Sequence, residues 1–173
     1  MFRRLFCVLL VLLCLPAAAC AHPCEQWVRL HVVAEGDGAY QQALKMKIRD
    51  ACLECAALTL ANAQDADEAY MRLEESVGLF EQAATRRARE SGYLGSVCAE
   101  VGVFTFPERV YGGVIVPAGE YRALRVVIGE GAGHNWWCVL YPTLCFADES
   151  SVGEIPPRKG LFYELFLKWR AMQ

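Results

Sequence analysis

Residues 121–148 read YRALRVVIGEGAGHNWWCVLYPTLCFAD, and this stretch decides the fold that the sequence predicts. Its run from Arg125 to Ile128 is rich enough in β-branched residues to form a strand inside a sheet. Three alternating glycines follow, Gly129, Gly131 and Gly133, which permit a positive φ or a close approach between two backbones. The stretch therefore predicts an internal strand that ends in a glycine-rich turn.

Two adjacent tryptophans and two cysteines come after the glycine-rich turn. Trp136 and Trp137 are predicted to lie in a loop, which is a rare position for so much apolar surface. Cys138 and Cys145 bracket Pro142, and a disulfide between them would close a short loop. We expect this pairing, although spacing alone does not choose among the connectivities open to the six cysteines beyond Ala21.

Residues 1–21 are predicted to be a signal peptide or an N-terminal anchor. Two arginines precede an apolar run at 6–15, and small residues at 17–19 offer a cleavage site. The apolar run is short for a membrane span. Small residues before Cys20 also resemble a lipoprotein processing site, so cleavage, lipidation at Cys20 and an uncleaved anchor all stay open. Each of the three implies export, and an exported chain can form disulfides.

Length and charge narrow the class of protein. The chain has 173 residues, which suits one domain with a single core. Its net charge of −3 gives no basic excess of the kind that nucleic-acid binding requires, so no nucleic-acid partner is expected.

The segment after the export signal is predicted to begin with a strand and two helices. Residues 28–34 are rich in valine and leucine and predict the strand. Residues 39–61 show a helical period, with an apolar stripe made by Leu44, Ile48, Ala51, Cys55 and Leu58. Asp65 and Glu68 form a capping box for a second helix, which a Ser-Gly pair at 91–92 ends. Its stripe is Tyr70, Leu73, Val77, Phe80 and Ala84.

A period of two returns in the second half of the chain. Strands are predicted over residues 97–106 and 110–116, and residues 117–119 make a tight turn into the strand that ends at Ile128. The resulting order, β-α-α-β-β-β, predicts an α+β fold. We expect a small, mainly antiparallel sheet with two helices packed on one face.

The predicted domain spans residues 27–148. A polar linker at 149–158 and a C-terminal amphipathic helix at 159–172 follow it. That helix would dock on the domain, contact a partner or lie on a membrane face.

Candidate catalytic and ligand-binding patterns are weak. Cys52 and Cys55 form a C-x-x-C motif in mid-helix, away from the helix N-terminus that lowers a thiol pKa, which favours core packing over metal or redox work. His134 and Cys138 would make a Cys-His nucleophile, but no third group to orient the histidine is evident. The glycine-rich turn precedes neither a helix nor a lysine, which argues against phosphate binding. We predict no catalytic residues, no metal site and no cofactor, and we interpret His31 as a satisfied structural or surface histidine.

The aromatic residues predict a recognition surface. Trp136, Trp137 and Tyr141 lie close together in the sequence, and Arg125 on the preceding strand would rim such a patch. In one interpretation both indoles fill the core. In the other, one indole packs inward and the other joins Tyr141 as an exposed anchor, since tryptophan and tyrosine dominate interface hot spots.

Several strings of the sequence carry a resemblance to a known family. They are residues 28–34, 42–50, 117–121, 124–131, 135–140 and 144–146. Taken in order, they closely resemble the stage II sporulation protein R family. Cys52, Cys55 and Cys98 depart from the usual pattern of that family and leave the redox state of this chain open.

The resemblance implies an exported signal and not an enzyme. Members of this family are made in the forespore and exported to the forespore membrane or the space between forespore and mother cell. There they trigger a membrane-embedded protease of the mother cell, the sigma-E processing peptidase, which cleaves pro-sigma-E. We therefore expect this peptidase as the partner, with contact to a membrane surface through the N-terminus or the C-terminal helix.

Two other functions stay open from the residues alone. An envelope hydrolase would use Cys138 and His134, and it requires a free thiol at Cys138. A lipid-anchored structural protein of the envelope would be acylated at Cys20.

Overall fold

The computed structural model describes residues 26–111 and 114–143. In it, segments with an alternating hydrophobic pattern form strands and segments with a helical pattern form helices. The described elements are strand β1 (Val28–Val33), helices α1 (Ala39–Thr59) and α2 (Ala66–Glu90), and strands β2 (Val97–Phe106), β3 (Arg109–Tyr111), β4 (Val114–Val116), β5 (Gly119–Ile128) and β6 (Asn135–Tyr141). The predicted signal peptide or anchor, the linker, the C-terminal helix, Cys20 and Cys145 lie outside the described residues.

Strands β2, β5, β1 and β6 form one sheet in that order. Strand β1 pairs in parallel with β5, whereas the β1–β6 and β2–β5 pairs are antiparallel. The parallel pair is allowed because both helices and β2 lie between β1 and β5 in the chain, which supplies the long connection that parallel strands need. The α+β class and the mainly antiparallel sheet are confirmed.

The element order differs from the predicted β-α-α-β-β-β at two places. The strand predicted over 110–116 is a hairpin, whose arms β3 and β4 pair with each other on either side of positions 112–113. A glycine pair at those positions favours a turn over a continuous strand. Trp136 and Trp137, predicted in a loop, belong to strand β6, because aromatic side chains favour strands and β6 pairs with all of β1.

Both helices pack on one face of the sheet. Alternate residues of the central strands point toward the helices, since successive side chains of a strand face opposite ways. Leu30 and Leu124 share one buried cluster with Ile48 of α1 and with Leu73 and Phe80 of α2. Within the described part of the chain, neither helix has the length and apolar character needed to cross a bilayer.

Local signals in the sequence set the ends of α2. The Asp65 carboxylate accepts a hydrogen bond from the Glu68 N–H at 2.8 Å, which confirms Asp65 as the N-cap. The Glu68 carboxylate accepts from the N–H of Gln64, at 2.8 Å, and not from that of Asp65. Gly92, with a φ of 81°, follows Ser91 and ends the helix in the left-handed conformation that glycine tolerates.

The predicted stripe of α2 is correct, whereas that of α1 is wrong at Leu58 and omits the buried residues Lys45 and Cys52. Leu58, predicted in the stripe, is 74% exposed, and Cys52 is fully buried while Cys55 is half-buried. Lys45 is buried, and its ammonium group donates a hydrogen bond to the backbone carbonyl of His134 at 2.9 Å. Helix α1 contacts both α2 and the sheet, so its buried surface is broader than a single stripe.

Phe80 provides a test of the helix face assigned to α2. Its ring is fully buried, so Phe80→Ala is expected to lower the free energy of unfolding by about 3–5 kcal/mol through the cavity it leaves. The control is Leu79→Ala, the preceding residue, whose side chain is 57% exposed and whose loss is expected to cost less than about 0.5 kcal/mol. Urea denaturation measures both variants. Equal losses would contradict the assigned face.

The glycine-rich turn between β5 and β6 packs against the loop that follows β1. Gly129 and Gly131 have φ values of 57° and 64°, a conformation that residues with a Cβ rarely adopt. Gly133 lies so close to Gly36 that a Cβ would stand 2.5 Å from the Gly36 carbonyl oxygen. Its N–H donates to the carbonyl of Ala34 at 2.8 Å. The glycines therefore allow two loops to pack backbone against backbone.

Two glycine-to-alanine substitutions are expected to act with opposite sign. Gly133→Ala should destabilise the fold by about 1–3 kcal/mol, because the new methyl group would force a backbone carbonyl, and not a flexible side chain, to shift. Gly78→Ala, inside α2 with nothing within 4 Å of the new Cβ, should stabilise by about 0.5–1 kcal/mol. Thermal melts of the two variants check the signs; a stabilising Gly133→Ala would refute the close approach.

Candidate interaction site

The sheet face that points away from both helices carries aromatic rings around basic side chains. Its members, which we call the aromatic face, are Arg29, His31, Phe104, Phe106, Tyr121, Arg125 and Trp137. These residues alternate along their strands with the residues that pack on the helices. The sheet therefore separates an apolar core from a second cluster that is both aromatic and cationic.

Strand register aligns three members of this surface in one row, with Glu100 at its end. His31 on β1 pairs with Arg125 on β5 and with Trp137 on β6. Arg125 pairs in turn with Glu100 on β2, and the two form a short ion pair. Because neighbouring strands bring such pairs within contact distance, residues far apart in the sequence form one continuous surface.

Three aromatic rings surround the imidazole of His31. Its imidazole stacks on Trp137 with the ring centroids 5.0 Å apart and the planes 12° from parallel, and the Phe104 and Phe106 rings lie 5.4 and 5.1 Å away. The residue is only 5% exposed, and neither ring nitrogen has a hydrogen-bond partner within residues 26–111 and 114–143. The interpretation of His31 as a satisfied or surface histidine is therefore wrong.

Burial sets the charge state of His31. Desolvation, together with the nearby cations Arg125 and Arg29, lowers the pKa of the imidazole to about 4. The side chain is therefore neutral at pH 7.

Arg29 is fully buried two residues before His31. Its guanidinium lies 4.1 Å from the Phe106 ring centroid and 4.8 Å from that of Tyr121, and it donates to the Tyr111 hydroxyl at 2.9 Å. The Nη1 atom has no hydrogen-bond partner in the described part of the chain. Burial lowers the pKa of this guanidinium from its usual value. Ring faces, a phenol and the Cys138 carbonyl, which accepts from Nε at 3.4 Å, thus replace the carboxylate that a buried arginine normally requires.

The β3–β4 hairpin covers one end of the aromatic face. Tyr111, Val114 and Val116 of the hairpin pack on that cluster, while Val110 and Ile115 point outward and are each 62% exposed. The hairpin is not part of the four-stranded sheet. Side-chain contacts, including the hydrogen bond to Arg29 described above, therefore hold it in place.

The four predicted contact residues separate onto the two faces of the sheet. Trp137 and Arg125 belong to the aromatic face, and the Arg125 side chain is 37% exposed. Trp136 lies on the helix side, 5.2 Å from the guanidinium of Arg49, and the hydroxyl of Tyr141 donates to a backbone carbonyl of the loop before α2. Both indoles are partly buried. The structure therefore brings Trp137 together with Arg125 and not with Tyr141.

Cys138 is fully buried on the helix side of β6 and takes part in a disulfide. Cys52, Cys55 and Cys98 carry free thiols. The predicted pairing with Cys145 stays a prediction. Burial also raises the pKa of the Cys52 thiol, as expected for a cysteine that packs in a core.

His134 and Cys138 do not form a catalytic pair. The His134 side chain is 83% exposed and bonds the Asp37 carboxylate at 2.6 Å. Cys138 lies three residues along β6 from Asn135, the neighbour of His134, which is about 10 Å of extended chain. Among the described residues, no group of three histidine, cysteine, aspartate or glutamate side chains is placed to hold a metal ion.

Sequence reasoning missed Arg29, His31 and the rings of Phe104, Phe106 and Tyr121 as members of a site. The signal was present in β1, where two basic residues alternate with valine and leucine. Such alternation ordinarily marks a solvent-exposed face, so the burial of these two side chains was not predicted.

Comparison of the sequence with known proteins assigns this chain to a family. The family described as stage II sporulation protein R matches residues 24–151, which include every described element. The chain belongs to the stage II sporulation protein R family. Stage II sporulation protein R of Bacillus subtilis (strain 168) is 33% identical over 127 residues, which cover 73% of this chain and 57% of that protein. The match thus spans less than two thirds of the relative. No solved structure matches the chain.

In this member of the stage II sporulation protein R family, protonation of His31 is expected to make the stability of the fold depend on pH. The imidazole has a pKa near 6.5 in the unfolded chain and about 4 in the folded one, so protonation favours the unfolded state. The contribution of neutral His31 to the free energy of unfolding is therefore complete above pH 6.5 and is lost as the pH falls toward 4. The loss amounts to about 3 kcal/mol. His31→Phe keeps a ring against Trp137 and should flatten this dependence. Urea denaturation at several pH values measures the dependence. If the free energy of unfolding of the variant changes with pH as much as that of the wild type, His31 is not its cause.

Proposed function

We propose that this chain is an exported sporulation signal that activates the mother-cell membrane peptidase responsible for cleaving pro-sigma-E. The observation that carries the proposal is the family match across residues 24–151, which takes in the whole described fold. The one curated relative described above is named as a sporulation protein. The role in pro-sigma-E processing is the function that the family resemblance implies.

Location follows from the N-terminal sequence in this proposal. Residues 1–21 direct export from the forespore, and the chain then acts at the forespore membrane or in the space between the two cells. Contact with a membrane surface through the N-terminus or the C-terminal residues 159–172 would keep the signal close to a membrane-embedded partner.

Activation by a protein of this kind works through binding. A ligand shifts a conformational equilibrium only by its difference in affinity for the two states, so the signal must bind the active state of the peptidase more tightly. The aromatic face supplies suitable contacts, because Trp137 offers apolar area and Arg125 a partly exposed charge. Tryptophan and arginine are enriched among residues that dominate interface energies.

A deletion strain tests the proposed function. Removing the gene from a sporulating host should leave pro-sigma-E uncleaved, and the wild-type chain supplied in the forespore should restore cleavage. Normal cleavage without the gene would refute the proposal. Restored cleavage by a chain that lacks residues 1–21 would refute the export step.

Single substitutions in the restored strain test the contact residues. Trp137→Ala and Arg125→Ala are each expected to reduce cleavage at least about tenfold, the effect of losing an interface hot spot. Trp136→Ala and Tyr141→Ala, which alter the helix side of β6, should reduce it less at equal amounts of secreted protein. Immunoblots of pro-sigma-E and of the secreted chain give both quantities. Full cleavage by the first two variants would exclude the aromatic face as the contact surface.

A further inference from the structure

The geometry of β1 points to a binding site for a carboxylate. We propose that the aromatic face receives an aspartate or glutamate side chain of the partner protein, which bonds to Arg29 and His31 beside Trp137. The identity of that partner as the peptidase rests on the proposed function. The site itself rests on the buried nitrogen atoms described below.

Three buried nitrogen atoms on this face have no hydrogen-bond partner among the described residues: Arg29 Nη1, His31 Nδ1 and His31 Nε2. The two residues lie on the same side of β1, about 7 Å apart along the strand. Buried polar atoms are nearly always bonded in folded proteins, and each one left unbonded costs about 1–3 kcal/mol. A neutral imidazole carries one N–H, so Arg29 Nη1 and one nitrogen of His31 are unbonded donors on the same face of β1, and they mark a place where a ligand with acceptor oxygens would supply missing bonds.

The electrostatic surroundings select an anion. The positive charge of Arg125 lowers the pKa of His31, and that of Arg109 lowers the pKa of Arg29, so the charged neighbours of both groups are cations. The neutral neighbours are the phenols of Tyr111 and Tyr121. Glu100, at the edge of the row, is engaged by Arg125 and is 49% exposed. A carboxylate is the group that would offset this excess of positive charge and also accept hydrogen bonds.

The partly exposed neighbours of His31 favour a side chain of a partner protein over a free ion. Trp137 and Arg125 flank His31 in its row and are partly exposed, so a partner would approach His31 beside these two side chains. Arg29 lies deeper, beneath Tyr111 of the hairpin. An acidic side chain carried by a partner would have its chain packed on the indole and its carboxylate directed inward.

Substitution of Arg29 by methionine separates binding from folding. An apolar side chain of similar length at a buried charged position is often neutral or stabilising, so Arg29→Met should secrete and melt like the wild type. The same variant should reduce pro-sigma-E cleavage at least about tenfold, because the carboxylate loses a charge-assisted bond. His31→Phe, which keeps the stack on Trp137, is the second variant with the same expectation.

Arg122→Met is the matched control. Like Arg29, this arginine lies against a ring, 5.3 Å from that of Tyr70, but it belongs to β5, faces the helices and bonds Asp67. Cleavage with this variant should stay near the wild-type level. If Arg29→Met and His31→Phe restore full cleavage, the carboxylate site is refuted while the proposed function stands. A loss of cleavage that matches a loss of folded protein also refutes it, since Arg29 is then structural. Failure of the wild-type chain to restore cleavage refutes the proposed function instead.

Acetate serves as the probe for the site in the purified chain. Titration at constant ionic strength, followed through the nuclear magnetic resonance signals of the His31 ring, should show a saturable shift that Arg29→Met abolishes. Sodium chloride should give no such shift. A response to inorganic phosphate without one to acetate would overturn the proposal in favour of a free phosphate ion. No response to either anion would overturn it altogether.

Discussion

Pairing of β1 with β5 on one side and with β6 on the other buries all six side chains of β1. A strand that is buried on both faces usually carries a continuous apolar run. In β1, however, Arg29 and His31 alternate with the apolar residues. The apolar half of the strand packs on both helices. The basic half can be buried only because Phe106, Tyr121 and Trp137 surround it with rings.

That requirement explains the architecture of the second face. Strand β2 contributes the phenylalanines, β5 a tyrosine and an arginine, and β6 a tryptophan, so every strand of the sheet takes part. The β3–β4 hairpin completes the cover over Arg29 through the Tyr111 hydroxyl. Ring faces recover part of the cost of removing a guanidinium from water. They offer no acceptor to the remaining N–H groups, which is why this surface combines a closed, well-packed cluster with unmet hydrogen-bonding capacity.

In the proposed function the aromatic face acts by binding, and His134 and Cys138 take no part as a catalytic pair. The cysteine and histidine that would have formed a nucleophile are separated by the geometry of β6, and Cys138 is committed to a disulfide. The proposed signalling role requires a surface whose binding energy differs between two states of the partner. Rings and cations held rigidly on a sheet meet this need, since little side-chain freedom is lost when they bind.

The sequence by itself determined the elements whose causes are local. The cap at Asp65, the glycine end of α2, the stripe through Phe80 and the strand at 125–128 depend on neighbouring residues, and each was predicted. The family was likewise evident from short strings in order. The place of the tryptophans was missed, because pairing with β1 and not local glycine content decides where β6 begins. The β3–β4 hairpin was also missed, although its glycine pair is a local turn signal.

Tertiary structure alone decided the candidate site. Residues as distant in the chain as His31, Arg125 and Trp137 meet only through strand register, which no local pattern encodes. The burial of Arg29 depends in the same way on rings supplied by other strands. Spacing in the sequence grouped Trp137 with Tyr141, whereas the bulge in β6 and the alternation of a strand placed Tyr141 with the helices and Trp137 with the cations.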